Sequence, residues 1–171
     1  MRTTLKTLLA TGAIAATALS ATGGTAQAAG ERWPTVRAGA AGVDVRTVQS
    51  LVRNAYEGRD GDGIVRVDGA YGPMTREAVR GIQRERGLQA DGIVGAATWN
   101  VLAVAVSPGA RGDEVLALQW QLRALGYAVK PDGVYGPATT AAVTRAQGRF
   151  HLRVTGRTDA ATWKALVATS R

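Results

Sequence analysis

The chain has 171 residues, no cysteine and a formal net charge of +8, with 21 Lys and Arg residues against 13 Asp and Glu residues. The absence of cysteine excludes disulfide bonds, Cys-ligated zinc and a thiol nucleophile. The length suffices for one ordinary domain or for two small ones of roughly 65 residues each. The positive charge favours anionic partners such as wall polymers, nucleic acid or anionic lipid.

The first 28 residues predict a secretory signal peptide. Arg2 and Lys6 precede a long uncharged stretch rich in Ala and Leu, which ends in a small-x-small sequence from Ala26 to Ala28. A retained membrane anchor is the weaker alternative, because Gly and Thr residues interrupt the stretch. We therefore expect an exported protein with a short lead over residues 29–36 and no stable membrane insertion after cleavage.

Residues 37–103 and 106–169 are two copies of one unit. The hexapeptide "DGAYGP" that begins at Asp68 returns as "DGVYGP" at Asp132, and further identities follow at the same spacing. Upstream of the hexapeptide the spacing widens, so the first copy carries about six additional residues, most simply within residues 56–66. The few residues between the copies indicate two modules that touch each other rather than swing freely.

Each copy is predicted to form three helices, which makes the fold all-α, with two tandem three-helix modules. In the first helix of copy two, Val115 and Leu118 lie at helical spacing, and Asp113 is the expected N-cap. The second helix starts after a Gly-Pro pair, since Pro is favoured at the first helical position. The third helix is short and carries Trp99 or Trp163, which should close the core of its module.

Two differences between the copies indicate helix ends. Gly95 of copy one is replaced by Asp159 just before the third helix, and both residue types are acceptable N-caps. The single histidine, His151, aligns with Gly87 at a helix C-terminus, where left-handed backbone angles are needed. We expect His151 to be a structural cap, not a catalyst or a ligand.

The residues common to the two copies resemble the peptidoglycan-binding domain 1 family. They comprise Gly-x-x-Gly before the first helix, Asp-Gly-x-Tyr-Gly-Pro-x-Thr before the second, a Gln in the second, and Thr-Trp-x-x-Leu in the third. The resemblance covers nearly the whole chain after the signal peptide. It implies small modules that bind peptidoglycan without catalysis, through a shallow site near the turns. Copy two departs from the pattern at Thr155 and Thr158, so copy one is the better candidate if only one copy binds.

The candidate binding residues lie mainly on the Gly-flanked turns. An outward-facing Tyr71 or Tyr135 would offer its ring to a sugar and its hydroxyl to an amide, while Gly72 and Gly136 would leave backbone N–H groups accessible. The alternative is that each tyrosine fills the core of its own module. The complete set of candidates is Asp68, Tyr71, Gly72, Arg76, Asp132, Tyr135, Gly136 and Trp120.

Arg76, Arg80 and Arg84 share one face of the second helix of copy one and could attract carboxylates or phosphates. Copy two lacks this row, so a solvated helix face is the alternative.

Trp120 has no aromatic counterpart in copy one. Together with Trp33 it is a candidate for an exposed contact.

The residue inventory predicts no catalytic centre, no metal and no cofactor. One His without Cys is too little for hydrolytic zinc, and no Ser after the signal peptide has a nucleophile-elbow context. A carboxylate pair for glycoside cleavage remains open on counting alone, but the two modules leave no further domain to form a cleft. Asp60 and Asp62 lack the other ligands of a calcium loop, so we expect a tight turn there.

The sequence thus predicts a secreted, non-enzymatic protein that binds peptidoglycan or another anionic wall polymer through two sites. The alternative is a protein-interaction, inhibitor or targeting subunit for a separately encoded cell-wall hydrolase. Nucleic acid is the weaker partner, because export removes it and the Arg residues form no shared stripe.

Overall fold

The computed structural model describes residues 32–56 and 65–170, which form six α-helices and no regular strand. In chain order the helices are α1 (Val43–Ala55), α2 (Pro73–Glu85), α3 (Ala96–Leu102), α4 (Asp113–Ala124), α5 (Pro137–Arg149) and α6 (Ala160–Thr169). Module 1 contains α1 to α3 and module 2 contains α4 to α6, which confirms the all-α prediction of two tandem three-helix modules. The predicted signal peptide and the acidic turn at Asp60 and Asp62 lie outside the described residues. Within the described ranges, no helix is long and apolar enough to cross a bilayer.

The helix starts follow the sequence prediction with one exception. Pro73 and Pro137 are the first residues of α2 and α5, as predicted. The expectation that Asp113 caps α4 is wrong, because Gly112 is the N-cap and Asp113 is the first helical residue. The Asp113 carboxylate instead pairs with the Arg53 guanidinium of module 1. That contact joins residues of different modules, so the local sequence around Asp113 does not reveal it.

The two predicted helix-end substitutions are confirmed. Asp159 is the N-cap of α6, and its carboxylate accepts a hydrogen bond from the Thr162 N–H at 2.7 Å. Gly95 holds the same position before α3. His151 has a φ of 54°, close to the 66° of its counterpart Gly87, so it takes the left-handed conformation that ends the preceding helix.

Each module closes its core with a tryptophan that is tied to the preceding chain segment. Trp99 and Trp163 are completely buried, as predicted. The Trp99 Nε1–H donates to the carbonyl of Pro34, and the Trp163 Nε1–H donates to the carbonyl of Val104, each at 2.7 Å. The segment before each module is therefore packed as part of that module.

A shorter repeat inside each module, which the sequence analysis missed, organises the turns. Four turns share the pattern Asp-Gly-x-x-Gly-x-x-Thr, except that Thr and Asp replace the first and fifth residues of the last one. The turns begin at Asp68, Asp91, Asp132 and Thr155. Each is held by a glutamine from the preceding helix that is at most 2% exposed. These glutamines are Gln49, Gln83, Gln119 and Gln147.

The turn held by Gln83 shows the shared hydrogen-bond pattern. The Gln83 Nε2 donates to the Asp91 carboxylate at 2.9 Å, to the Ile93 carbonyl at 3.0 Å and to the Thr98 hydroxyl at 3.1 Å. The Gln83 Oε1 accepts the Gly92 N–H at 2.8 Å. The Gln83 side chain thus satisfies the buried Gly92 N–H and orients both ends of the turn. The same arrangement recurs at the other three glutamines.

The first residue of three of these turns carries a carboxylate that receives hydrogen bonds from the turn itself. Asp68, Asp91 and Asp132 each accept the N–H of the residue two positions on, as well as the glutamine amide. The backbone hydrogen bond is the largest cause of a lowered pKa at each of these three carboxyls. In the fourth turn the Thr155 hydroxyl takes the place of the carboxylate and also contacts the Gln147 amide.

The two modules pack through equivalent helices, α1 and α4, which make the most extensive helix contact in the described chain. Arg53, near the end of α1, pairs with Asp113 at the start of α4. Asp44, at the start of α1, accepts a hydrogen bond from Gln121 near the end of α4 at 3.0 Å. The helices are therefore antiparallel, which relates the modules by an approximate twofold axis.

The centre of this interface is apolar. Its midpoint falls at the equivalent residues Val48 and Leu118, both completely buried in one hydrophobic cluster that spans the two modules. Burial of this kind is the main favourable term in folding, so the modules share a core. The prediction of touching modules is confirmed.

Candidate functional site: paired turn grooves

Equivalent grooves open beside the first turn of each module. Groove 1, of about 540 Å³, is lined by Ala38, Gly39, Tyr71, Gly72, Pro73, Arg76, Glu77 and Arg80. Groove 2, of about 480 Å³, is lined by Pro108, Gly109, Tyr135, Gly136, Pro137, Thr140 and Ala141. Five of the eight predicted binding residues therefore lie in the two grooves, namely Tyr71, Gly72, Arg76, Tyr135 and Gly136.

The tyrosines line the grooves but do not face outward as predicted. Tyr71 is 3% exposed and Tyr135 is 2% exposed. The Tyr71 hydroxyl donates to the Gly92 carbonyl at 3.0 Å, and the Tyr135 hydroxyl donates to the Gly156 carbonyl at 2.9 Å. Each phenol thus links the first turn of its module to the second. The expectation of an exposed phenol is wrong, and the alternative of a tyrosine within the module core is correct.

The buried environment of the two phenols changes their acidity. Burial raises the pKa of Tyr135 to about 12 and raises that of Tyr71 further. Both hydroxyls therefore stay protonated at neutral pH and act as donors to the second turn. They contribute to the shape of the grooves rather than to a reactive group.

Gly72 and Gly136 face open space at the mouths of the grooves. They have φ values of −89° and −91°, which any residue can adopt. A Cβ added to either would meet no atom within 4 Å. Neither backbone conformation nor packing requires glycine here, so a side chain at these positions would extend into the groove.

The same positions also leave two helix starts without a side-chain cap. Gly72 and Gly136 are the N-caps of α2 and α5, and neither helix has a capping side chain. The corresponding Asp159 of the fourth turn does cap its helix, so the turn geometry permits one. An N-capping side chain stabilises a helix over glycine by a few tenths of a kcal/mol. Both helix starts thus leave the N–H groups of the first helical turn without a side-chain cap, at a small cost in stability.

Groove 1 carries charged side chains. The Glu77 carboxylate lies 2.9 Å from an Arg84 nitrogen and 3.6 Å from an Arg80 nitrogen, and the hydrogen bond from Arg84 is the largest cause of its lowered pKa. Arg80 also donates from Nε to the Ala90 carbonyl at 3.0 Å. Within the described residues, the guanidinium of Arg76 has no hydrogen bond or ion pair. The lining residues of the groove therefore carry a net positive charge, and Arg76 contributes to it while also lowering the pKa of the nearby Glu77 and Asp91 carboxyls by its charge.

Groove 2 has no ionisable lining residue other than the tyrosine. Thr140 and Ala141 replace Arg76 and Glu77. The Thr140 hydroxyl donates to the Gly136 carbonyl at 3.1 Å. The two grooves thus lie at equivalent positions of their modules and differ in charge.

The remaining predicted residues have roles within the protein fold. Asp68 and Asp132 orient their turns through the hydrogen bonds described above and do not line the grooves. Trp120 is half-buried at the module interface, with the Arg46 guanidinium 5.2 Å from its ring centroid. The aligned residue of module 1, Ser50, is completely buried.

Trp33, the other aromatic predicted to be exposed, is also half-buried. Its ring stacks on Trp99 with centroids 5.5 Å apart and planes 8° apart, and its Nε1–H donates to the Asn100 amide oxygen at 3.0 Å. The ammonium of Lys164 in module 2 lies 5.7 Å from the Trp33 centroid. The residue therefore packs at the boundary between the modules.

In the described ranges, no group of His, Asp and Glu residues is arranged to hold a metal ion.

A family model matches the two modules separately. The model of the peptidoglycan binding domain family matches residues 41–102 and again residues 111–166. The uncharacterized protein YbfG of Bacillus subtilis (strain 168) is 31% identical over an alignment of 133 residues, and the match covers 74% of this chain and 18% of that protein. This chain therefore corresponds to less than a fifth of the length of YbfG.

Solved structures give partial matches. The SleB N-terminal domain is 36% identical, with a TM-score of 0.39, and the match covers 40% of this chain and 96% of that one. The Burkholderia AP3 phage endolysin is 27% identical, with a TM-score of 0.36, over 67% of this chain and 38% of the endolysin. Because the family model accounts for most of both modules, the chain belongs to the peptidoglycan binding domain family and contains two tandem copies of that domain.

Proposed function

We propose that this chain is a secreted, non-catalytic protein that binds cell-wall peptidoglycan through grooves 1 and 2. Membership in the family supports peptidoglycan as the ligand. The grooves supply a concave surface at equivalent places in both modules, next to the turns. Concave sites with a few oriented polar groups are the usual form of a binding site.

The observation that carries this proposal is the pair of glycines at the groove mouths. Gly72 and Gly136 forgo a helix cap that Asp159 shows to be possible, and their missing side chains would occupy the grooves. A ligand could approach the backbone closely at these two glycines, whereas the equally uncapped Gly95 lies outside both grooves. The accessible N–H groups of the first helical turn would then donate to ligand carbonyl or carboxylate oxygens.

The arrangement of the modules supports simultaneous binding at the two grooves. Each groove lies beside the start of the first helix of its module, and these two helices are antiparallel. A helix of 13 residues such as α1 is about 20 Å long, so the N-termini of the two antiparallel helices are separated by a distance of that order. Binding at one groove would hold the other at high effective concentration near the same insoluble polymer.

Secretion and the absence of catalysis belong to the proposal as well. The N-terminal sequence has the charge and apolar pattern of a signal peptide. The single histidine ends a helix in the left-handed conformation, and its part in the fold is structural. Both observations favour an exported binding protein over a hydrolase.

Co-sedimentation with purified, insoluble peptidoglycan tests the proposal. Gly72→Asn and Gly136→Asn together place capping side chains in both grooves without changing the charge. Gly95→Asn is the control, since Gly95 is also an uncapped N-cap with open space around it but lies outside both grooves. We expect the unmodified chain and the control to sediment with the polymer, and the double variant to remain in solution with its helical structure intact.

Two outcomes would contradict this function. The first is an unmodified chain that stays in the supernatant at moderate salt while a known wall binder sediments. The second is equal sedimentation of the double variant and the control. Retention on an immobilised wall hydrolase without retention on peptidoglycan would favour the hydrolase-subunit alternative. Sedimentation that vanishes at high salt would indicate adhesion by net charge alone, because long-range attraction is screened.

A further inference from the structure

We propose that the two grooves recognise different chemical parts of the wall polymer: groove 1 takes a free carboxylate of a stem peptide, and groove 2 takes an uncharged N-acetylated sugar. This inference rests on the proposed binding function and deepens it. It predicts that Arg76 determines the specificity of groove 1. Thr140, the equivalent residue of groove 2, would set the opposite preference.

The positive charge of groove 1 is only partly neutralised by the protein. Glu77 is compensated by Arg84 and Arg80 together. The nearby carboxylate of Asp91 accepts hydrogen bonds from the Gln83 amide and the Ile93 N–H, and the charge of Arg76 also lowers its pKa without a direct ion pair. Arg76 is left as a guanidinium on the groove wall with no carboxylate paired to it in the described structure.

The position of Arg76 suits a ligand carboxylate in groove 1. A Cβ at Gly92 would lie 2.6 Å from the Arg76 Cγ, so the stem of this side chain rests on the second turn. Contact along the stem restricts where the guanidinium can move, which lowers the entropy cost of a hydrogen bond to a ligand. A guanidinium binds a carboxylate through two parallel hydrogen bonds in favourable geometry.

Groove 2 offers no charge for a carboxylate to bind. Thr140 and Ala141 stand where module 1 has Arg76 and Glu77, and the Thr140 hydroxyl is already engaged with a backbone carbonyl. The lining is formed by small or apolar groups beside the Gly136 backbone. An uncharged ring with an acetamido group matches this lining, because it needs apolar contact and backbone hydrogen bonds but no counter-ion.

Chemical-shift mapping on the full chain tests the division between the grooves. The two probes are a soluble muropeptide with free stem-peptide carboxylates and the same muropeptide with those carboxylates amidated. The reporting amides are those of Gly39 and Gly72 for groove 1, and of Gly109 and Gly136 for groove 2. We expect amidation to weaken binding at groove 1 about tenfold, the effect of losing a charge-assisted hydrogen bond, and to leave groove 2 unchanged.

Substitution at the two specificity residues provides the decisive comparison. Arg76→Gln should remove the preference of groove 1 for the free carboxylate, and Thr140→Arg should create such a preference at groove 2. Arg145→Gln removes the same charge from an exposed position of α5 outside both grooves and should change neither preference. Net charge therefore cannot account for the expected pattern.

The inference is overturned if groove 1 binds both muropeptides equally, or if Arg76→Gln weakens both by the same factor. It is also overturned if neither muropeptide shifts the groove amides. Co-sedimentation with whole peptidoglycan separates these results from failure of the proposed function. A chain that sediments but shows no carboxylate preference keeps the function and loses this inference, whereas a chain that does neither loses both.

Discussion

Module 1 and module 2 share the hydrogen bonds that hold their turns and differ in the side chains that line their grooves. Gln83 and Gln147 make equivalent contacts even though Asp91 of module 1 is replaced by Thr155 in module 2. At the groove rim, by contrast, Arg76 becomes Thr140 with no compensating change in the fold. The glutamine contacts of the turns are therefore kept in both modules, while the rim residues Arg76 and Thr140 differ in charge.

The comparison also shows where one module depends on the other. Arg53 of module 1 pairs with Asp113 of module 2, but the equivalent Arg123 faces the position of an uncharged residue, Val43. Gln121 binds Asp44 and Thr47 across the interface, and its counterpart in module 1 is the apolar Leu51. The two sides of the pseudo-symmetric interface have thus become complementary rather than identical.

The largest expected effect comes from Leu118→Ala at the centre of the interface. Removal of this completely buried side chain should lower the free energy of unfolding by about 3–4 kcal/mol, through lost burial and a residual cavity. Hydrogen exchange at the Gly92 and Gly156 amides reports on the two modules separately. Because the modules share a core, we expect both amides to lose protection. Loss confined to Gly156 would show that the modules unfold independently.

The next effect concerns the glutamines that hold the second turns. Gln83→Leu and Gln147→Leu each leave buried backbone donors without a partner, so each should cost roughly 2–3 kcal/mol in urea-induced unfolding. The cost should be larger for Gln83, whose amide donates to a carboxylate rather than to a hydroxyl. Equal costs would show that the aspartate adds nothing to the turn of module 1.

The phenols provide a smaller and symmetrical test. Tyr71→Phe and Tyr135→Phe should each cost about 1 kcal/mol, because each removes one buried hydrogen bond between the turns of a module. A much larger loss in one module would show that the two ties are not equivalent.

The phenols also predict instability in alkali. The folded pKa of Tyr135, about 12, exceeds the ordinary value of 10. The stability that this group contributes is full below pH 10 and falls as the pH rises from 10 towards 12. Unfolding midpoints measured across this range should decline less for Tyr135→Phe than for the unmodified chain.

The smallest expected effect is that of Thr155→Asp, which restores the aspartate of the other three turns. We expect a slight rise in Tm at neutral pH, smaller than the fall caused by either Tyr variant. The pKa values of Asp68, Asp91 and Asp132 are lowered in the folded state, so their contribution is present above the unfolded value of about 4 and is lost as the pH falls below it. The gain from Thr155→Asp should therefore disappear in acid, and a gain that persists there would contradict this account.

The sequence predicted those features that depend on local chemistry. Pro73 begins a helix, His151 ends one, Asp159 caps one, and Trp99 fills a core. In each case a residue type has a strong preference for one backbone position or for burial. The order of the helices and the division into two modules follow from the repeat.

The features that the sequence did not reveal depend on contacts between distant residues. Tyr71 is buried in the hydrophobic core and donates a hydrogen bond to the Gly92 carbonyl, 21 residues away, although the Gly-flanked turn suggests exposure. Trp120 lies against Arg46 of the other module, and Asp113 binds Arg53 there. The fourfold turn pattern was accessible in the sequence, because Asp-Gly-x-x-Gly-x-x-Thr occurs three times without substitution.

The antiparallel packing of α1 on α4 resembles the interface of a homodimer whose two halves have been joined in one chain. In a dimer of separate modules, the paired state would be populated only above its dissociation constant. Covalent connection makes the pairing independent of dilution. A protein released into a large external volume would therefore keep both grooves at a fixed spacing, however low its concentration becomes.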